Sequence, residues 1–361
     1  MAIKTYQCFT CGAELKWNPA LQKWKCEFCD SEFVESDFKE IATGEEDECL
    51  EKKTAPEGKT QQTAEGEVVS YKCSYCGAEV VTTADTAASF CVYCQRPVIM
   101  ESNLSGEFKP KAVLPFKTTK DDAKEAFRKY LKKKILIPDI FRDQDHIEKI
   151  SGVYLPFWLF NSKTEFHYQG EGSIVTTWSD SNYRYTKTDT YGITRGGSMS
   201  FTKIPVDGSS KTEDGIVDSI EPFHWDELTD FATPYLSGFL AERYDLKAED
   251  LLDRVENRCC GTKESQLSQT LQQYTHTFPV SNTFSLKEVE SEYVLLPVWL
   301  LYTQYKEKNY LFAMNGQTGK LVGNLPIDKG KVLKYSLLSF LTGGLVSALI
   351  GILLWLGGLF S

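Results

Sequence analysis

The sequence predicts an α+β protein in several parts: two small β-hairpin modules joined by a flexible linker, a larger α+β body with an internal duplication, and one C-terminal helix that crosses a membrane. Three observations predict it. Cysteine pairs of one spacing occur twice near the N-terminus, the segment from Tyr335 to Ser361 carries no charge, and strand-type and helix-type patterns alternate between them.

The cysteines come first. Cys8, Cys11, Cys26 and Cys29 form a C-x2-C-x14-C-x2-C unit, and Cys73, Cys76, Cys91 and Cys94 repeat it at an offset of 65 residues. The flanks repeat as well: Tyr6-Gln7-Cys8 matches Tyr71-Lys72-Cys73, and Cys11-Gly12-Ala13-Glu14 matches Cys76-Gly77-Ala78-Glu79. Two thiolates three positions apart close on one metal ion from a tight turn, and two such turns at the tips of two hairpins complete a tetrahedron. The glycine after the second cysteine suits the positive φ of such a knuckle. The expectation is therefore two zinc ribbons, at 1–34 and 69–100, each holding one Zn2+ through its four cysteines. Disulfides and a rubredoxin-like iron site are the rivals. The absence of a secretory signal ahead of the cysteines weighs against the first, and thiolate sites of this shape accept iron as well as zinc. Zinc also meets a physical need: a module of this size has almost no core, and structural zinc supplies about 10–16 kcal/mol in comparable peptides.

Charge separates the two modules. The chain of 361 residues has a formal charge of −10. Between Glu35 and Glu67, eleven acidic residues face four lysines, a net −7. With few large apolar residues, 35–68 reads as an acidic flexible linker, and Cys49 within it has no partner pair. Residues 1–34 are neutral, Lys4, Lys16, Lys23 and Lys25 against Glu14, Glu27, Asp30 and Glu32. Modules that grip a phosphate backbone carry surplus Lys and Arg, so this balance argues against nucleic acid and leaves protein partners.

At the other end, 336–360 is an uncharged span of 25 residues, or about 37 Å of helix. That crosses a hydrocarbon core of about 30 Å with some tilt. Lys329, Lys331 and Lys334 precede it and no charge follows, so the positive-inside bias holds the N-terminal bulk in the cytoplasm, with a single-pass tail anchor in the cell membrane. Tyr335 and Trp355 mark the two interfaces. Gly344/Ala348 and Ser347/Gly351 give small-x-x-x-small spacings that pair helices in a homo-oligomer, although small residues are common in any membrane helix.

The body, 106–327, opens with a short strand, Val113-Leu114-Pro115-Phe116. Thr119 with Asp122 makes a capping box for a helix to Lys134 with Ala123, Phe127, Tyr130 and Leu131 on one face. Its other face carries Lys124, Arg128, Lys129, Lys132, Lys133 and Lys134, read either as a solvated face with a favourable C-terminus or as a patch for anionic lipid or an acidic partner. Two segments echo each other, Tyr154-Leu155-Pro156-Phe157-Trp158-Leu159-Phe160 and Val294-Leu295-Leu296-Pro297-Val298-Trp299-Leu300-Leu301, each preceded by a helical stretch (120–134 and about 247–273). This is the mark of a duplicated α+β unit. A proline in each strand implies an edge or a bulge. Residues 164–206, rich in Thr, Tyr and Ser with Gly170, Gly172, Gly192, Gly196 and Gly197, have hairpin composition. The apolar run from Pro222 to Tyr244 packs a short helix on the sheet.

No reaction is visible. His146, His167, His224 and His276 do not pair at metal-ligand spacing, and Cys259-Cys260 falls in helical sequence, where buried structural thiols outnumber redox pairs. Asn315-Gly316-Gln317-Thr318-Gly319-Lys320 lacks the gap and the Ser/Thr of a phosphate loop and reads as a hairpin turn. A zinc ion with four thiolates has no open position for water. The chain is read as a non-enzyme.

The ribbon pattern YQCFTCGAE…CEFC resembles the transcription-factor-IIB-type zinc ribbon of many bacterial proteins. With VLPF, YLPFWLF, IPVDGS, IEPF, YLSGFLAERYDL, LLPVWLL and the apolar tail, most of the chain is similar to a family of C-tail-anchored zinc-ribbon membrane proteins, chiefly of Gram-positive bacteria. Members are found beside phage-shock-protein-A-type membrane-stress proteins and help place them at the membrane. The resemblance implies a membrane adaptor or scaffold in envelope maintenance, with such peripheral proteins as partners. Only the eight cysteines carry over by residue. Asp30 and Gln95 stand where many ribbons have glycine, which puts a function of the ribbon tip in doubt. A membrane-held nucleic-acid- or polymerase-binding ribbon and a thiol-based redox or zinc sensor are the alternatives.

Overall fold

A computed structural model describes residues 3–4, 6–38, 61–63, 66–72, 79–91, 97–143, 147–212 and 214–356. The strands of the first third are β1 (Ile3–Lys4), β2 (Leu15–Asn18), β3 (Lys23–Cys26), β4 (Glu32–Phe33), β5 (Gln61–Thr63), β6 (Gly66–Lys72), β7 (Glu79–Thr83), β8 (Thr86–Phe90) and β9 (Pro97–Met100). The body follows with β10 (Ala112–Val113), α1 (Lys120–Lys132), β11 (Ser151–Ser179), β12 (Arg184–Asp207), α2 (Asp214–Ser219), β13 (Thr229–Asp230) and β14 (Leu240–Glu242). It ends with α3 (Leu252–Leu271), β15 (His276–Tyr305), β16 (Lys308–Asn315), β17 (Leu321–Gly323) and α4 (Lys329–Leu356).

The fold is mixed α+β and rich in sheet. Strands β2-β3-β4 and β5-β6-β7 make two three-stranded sheets, and the other strands make one large sheet around the antiparallel pair β11–β15. The echoing segments face each other across this pair, Leu155 opposite Leu296 and Tyr154 opposite Pro297. Their apolar runs are continuous because both faces of the sheet are covered here. Tyr154, Leu295, Trp299 and Leu301 join one core with Phe127 and Leu131 of α1. Leu155, Phe157, Val294, Leu296 and Val298 join another with Ile216 and Val217 of α2. The capping box of α1 forms as predicted, Thr119 and Asp122 each bonding the other's backbone amide.

The order β10–α1–β11–β12 is repeated by β14–α3–β15–β16, and the repeats are interlocked. β14 runs parallel to β11, and β10 runs parallel to β15. This arrangement also corrects the expectation about proline. Pro156 and Pro297 lie in the two innermost strands. Amide and carbonyl of one residue point to the same side of a strand. The Pro156 carbonyl accepts from Gly208 at 2.9 Å and that of Pro297 from Gly316 at 2.8 Å, so each ring nitrogen faces a junction between two neighbouring strands. β14 pairs with Val153 and Tyr154, and β12 begins only at Phe157. β10 pairs with Val294 and Leu295, and β16 begins only at Val298. A missing donor costs little at such a gap.

Beyond Asn161 the sheet narrows to β12, β11 and β15, a long arm with α3 on one face, where Tyr168 and Ile193 pack on Leu267. The glycines of this region are not turns. Gly170 and Gly172 lie within β11, where a Cβ on Gly172 would stand 2.7 Å from the Tyr274 ring. The turn is instead 180–183, organised by Asp180, whose Oδ1 accepts from the amides of Asn182 and Tyr183. The Asn315–Lys320 segment is the predicted hairpin turn, with the Asn315 amide donating to the Lys320 carbonyl at 2.9 Å.

Candidate metal centre

The N-terminal module is built on two knuckles with one hydrogen-bond pattern. The Cys8 amide donates to Ala13 and the Gly12 amide to the Cys8 carbonyl, at 2.6 and 2.8 Å. The Cys26 amide donates to Ser31 and the Asp30 amide to the Cys26 carbonyl, at 2.9 and 3.0 Å. Both knuckles need left-handed backbone after the second cysteine. Gly12 (φ 73°) supplies it in the first, and Asp30 (φ 58°) in the second. Asp tolerates this region better than most residues, and its carboxylate is held by Lys25 at 2.9 Å.

Strands β2 and β3, paired Leu15 to Cys26 and Trp17 to Trp24, bring the knuckles together. The four sulfur atoms of Cys8, Cys11, Cys26 and Cys29 lie within 4.8 Å of one another. Cys8 and Cys29 are 3.5 Å apart and Cys11 and Cys26 3.6 Å. A tetrahedron with Zn–S bonds of about 2.3 Å has edges of about 3.8 Å, so the donor set fits a zinc ion. Like-charged neighbours split the thiol titrations. The Ser31 hydroxyl, 3.1 Å from Cys29, and then the Ser31 amide bring that thiol down to about 6. For Cys11 the Ala13 amide pulls downward, but burial and the three neighbouring sulfurs outweigh it and push the thiol up to about 12. Four thiolates in contact need a cation between them, which is what a divalent metal supplies.

The second cysteine unit is described only at Cys91, which is fully buried with Tyr71, Val98 and Met100. Cys73, Cys76 and Cys94 lie outside the described residues, as do Cys49 and His146. The strands flanking them pair Lys72 with Glu79 and Phe90 with Pro97. Cys259 is a core residue of α3 whose thiol burial pushes up to about 11, a structural position.

The module is joined to the body. Trp17 and Trp24, centroids 4.7 Å apart, both pack on Tyr235. Trp17 Nε1 donates to the Phe116 carbonyl at 3.1 Å, Trp24 Nε1 to Pro234 at 2.9 Å, and the Trp17 amide to Ser237 at 3.2 Å. Within the stretch 35–68 expected to be a linker, the described residues include ordered pieces. Residues 35–38 form a helical turn whose Phe38 meets Trp24 edge to face, centroids 4.8 Å apart, and Gln61–Thr63 is a strand. Sequence reasoning missed this docking surface. The signal was present in Trp17 and Trp24, large apolar residues alternating with lysines in a module too small to bury them by itself.

A protein of Bacillus subtilis (strain 168), "Uncharacterized protein YdjG", is 34% identical over 340 residues, which covers 81% of this chain and 99% of its own length. The chain belongs to the YdjG family. No family model matches, and no solved structure matches. At 99% coverage of YdjG, the family relationship extends over the body and is not confined to one small cysteine module.

Proposed function

We propose that the chain is a non-enzymatic membrane adaptor that recruits protein partners in envelope maintenance, the role implied by its resemblance to tail-anchored zinc-ribbon proteins. The observation that carries this reading is the all-cysteine cluster locked onto the body. Four thiolates saturate a tetrahedral ion, so the metal serves as a staple that shapes a surface. The second cysteine unit would hold a second ion in the same way. α4, long and apolar enough to cross a membrane, anchors the body with its bulk in the cytoplasm.

The arm supports recruitment. β11 runs for 29 residues, about 95 Å of strand, and ends in Trp178 stacked on Tyr185 at 5.6 Å, with Tyr183 68% exposed beside them. Exposed aromatics on a rigid element are typical anchors of protein interfaces. A phage-shock-protein-A-type peripheral protein is the expected partner. The test is a pull-down from solubilised membranes, in which wild type recovers the partner and a chain with Cys8, Cys11, Cys73 and Cys76 all changed to Ser does not. Equal recovery would refute the metal-dependent role.

A further inference from the structure

Where α4 meets the body, the surface becomes basic and apolar together. α1 ends at Lys132, and the chain passes through Lys133, Lys134 and Ile135 to a 3-10 turn at Asp139–Arg142. This connection is tied to the first turn of α4. Lys331 Nζ donates to the Ile137 carbonyl at 2.7 Å and pairs with Asp139 at 2.6 Å, and the Asp328 amide donates to Leu136 at 2.8 Å. Beside the tie opens a cavity of about 300 Å³ lined by Arg128, Leu131, Lys132, Ile135, Arg142 and Ile147. Three of these six residues are cationic, three are aliphatic and none is acidic.

Two neighbouring carboxylates reach the cavity's cations only at longer range, and each has a closer partner outside it. Glu148 lies 2.6 Å from Lys124 and 3.8 Å from Arg128. Asp139 lies 2.6 Å from Lys331 and 3.9 Å from Arg142. Arg142 also donates to the Lys134 carbonyl at 2.7 Å, which fixes its guanidinium at the cavity. Aliphatic side chains beside the cations give the cavity an amphipathic lining. Here Ile135 is 57% exposed, with Ile140 and Ile327 also exposed at the same end.

Depth decides the ligand. From Lys329 to Lys334, α4 rises about 7.5 Å, and no charge follows. The headgroup layer, between a hydrocarbon core of about 30 Å and a bilayer of about 40–45 Å, is about 5–8 Å thick on each side. With Tyr335 at the hydrocarbon boundary, the first turn of α4 and the cavity tied to it lie among headgroups. We infer that this cavity binds the phosphate headgroup of an anionic phospholipid, Arg128, Lys132 and Arg142 facing the phosphate and Ile135 and Ile140 lying against the upper acyl chain. The inference rests on α4 crossing the membrane and is independent of any recruited partner.

The test uses the full-length protein reconstituted in nanodiscs of equal parts phosphatidylcholine and phosphatidylglycerol, then released into detergent, with the retained lipid counted by native mass spectrometry. Wild type retains phosphatidylglycerol preferentially. Arg128→Gln, Lys132→Gln and Arg142→Gln each reduce that preference about fivefold, the loss expected for one cation near an anionic surface. Lys132→Arg keeps it, and Arg195→Gln with Lys287→Gln, on the distant arm, leave it unchanged. Equal retention of both lipids by wild type, or an undiminished preference in the triple glutamine variant, overturns the proposal. Displacement of the lipid by millimolar glycerol 3-phosphate would assign the cavity to soluble phosphates and overturn the lipid assignment. Release of the protein from membranes by alkaline carbonate overturns it as well, and separates that failure from a failure of partner recruitment.

Discussion

The indole of Trp24 donates to the carbonyl of Pro234 at 2.9 Å, so a residue two positions before Cys26 of the four-cysteine cluster is bonded to the body 210 residues further along the chain. Trp24 is buried in the same core as Phe116, Tyr154 and Trp299. The cysteine module and the body therefore form one cooperative unit, and loss of metal should be felt by both. Stripping the metal with a chelator, or changing Cys8 and Cys26 to Ser, is expected to lower the unfolding temperature of the whole body and shift tryptophan emission to the red. A main transition left unmoved would show that the module is held without metal.

Trp24 itself separates packing from bonding. Trp24→Ala is expected to cost about 3–5 kcal/mol through the cavity it leaves. Trp24→Phe keeps most of the apolar contact with Tyr235 and Phe38 and removes one of two hydrogen bonds to the Pro234 carbonyl, which retains the Ser237 amide at 3.0 Å, at a cost of about 0.5–1.5 kcal/mol. Urea unfolding of the two variants should give this order, and equal losses would remove the hydrogen bond from the account.

The interlocked repeats give a comparison within one molecule. A Cβ on Gly316 would meet Phe116 Cδ1 at 2.6 Å and Pro297 Cβ at 2.8 Å, whereas one on Gly208 would meet Tyr244 Cβ at 3.1 Å and the Trp158 indole at 3.3 Å. Overpacking of the first kind costs about 1–3 kcal/mol. Gly316→Ala should therefore lower the thermal midpoint clearly more than Gly208→Ala does, and the reverse order would contradict the packing described.

Glu242 gives a pH dependence. Burial holds its carboxyl above the usual range, Lys211 pulls it down in part, and Asp85 and Asp245 push it up again. A carboxyl raised in the folded state binds its proton more tightly there than when unfolded, so its contribution is unfavourable at neutral pH and is relieved as pH falls toward its unfolded value of about 4.3. Glu242→Gln should raise the unfolding temperature at pH 7, with the gain vanishing near pH 4. A gain independent of pH would point to a cause other than this ionisation.

Much of this was legible in the residues. The cysteine spacing marked the cluster because each knuckle needs only local backbone, and the Thr119 capping box and the α1 face follow from spacing alone. The charge-free tail marks α4 by composition. What stayed hidden depends on contacts distant in sequence. Pro156 and Pro297 look like edge residues until the neighbouring strands are seen to change beside them. Gly170 and Gly172 look like turns until Tyr274 and Phe278 fill the space over them. Arg142 joins Arg128 and Lys132 only because the 3-10 turn folds back on α1.

α4 contributes a further prediction because its apolar residues face outward. Leu337, Phe340, Leu345, Leu349 and Leu353 are each more than half exposed, and a contiguous apolar surface of that extent on a soluble protein calls for a membrane or a partner. The tie through Lys331 lies before the uncharged span, so a chain ending after Lys334 keeps it. Such a truncated protein is expected to remain in the supernatant after ultracentrifugation and to unfold at the same temperature as the detergent-solubilised full chain, while the full chain sediments with membranes and resists carbonate. If truncation instead unfolds the body, α4 is part of the core and the anchor reading fails.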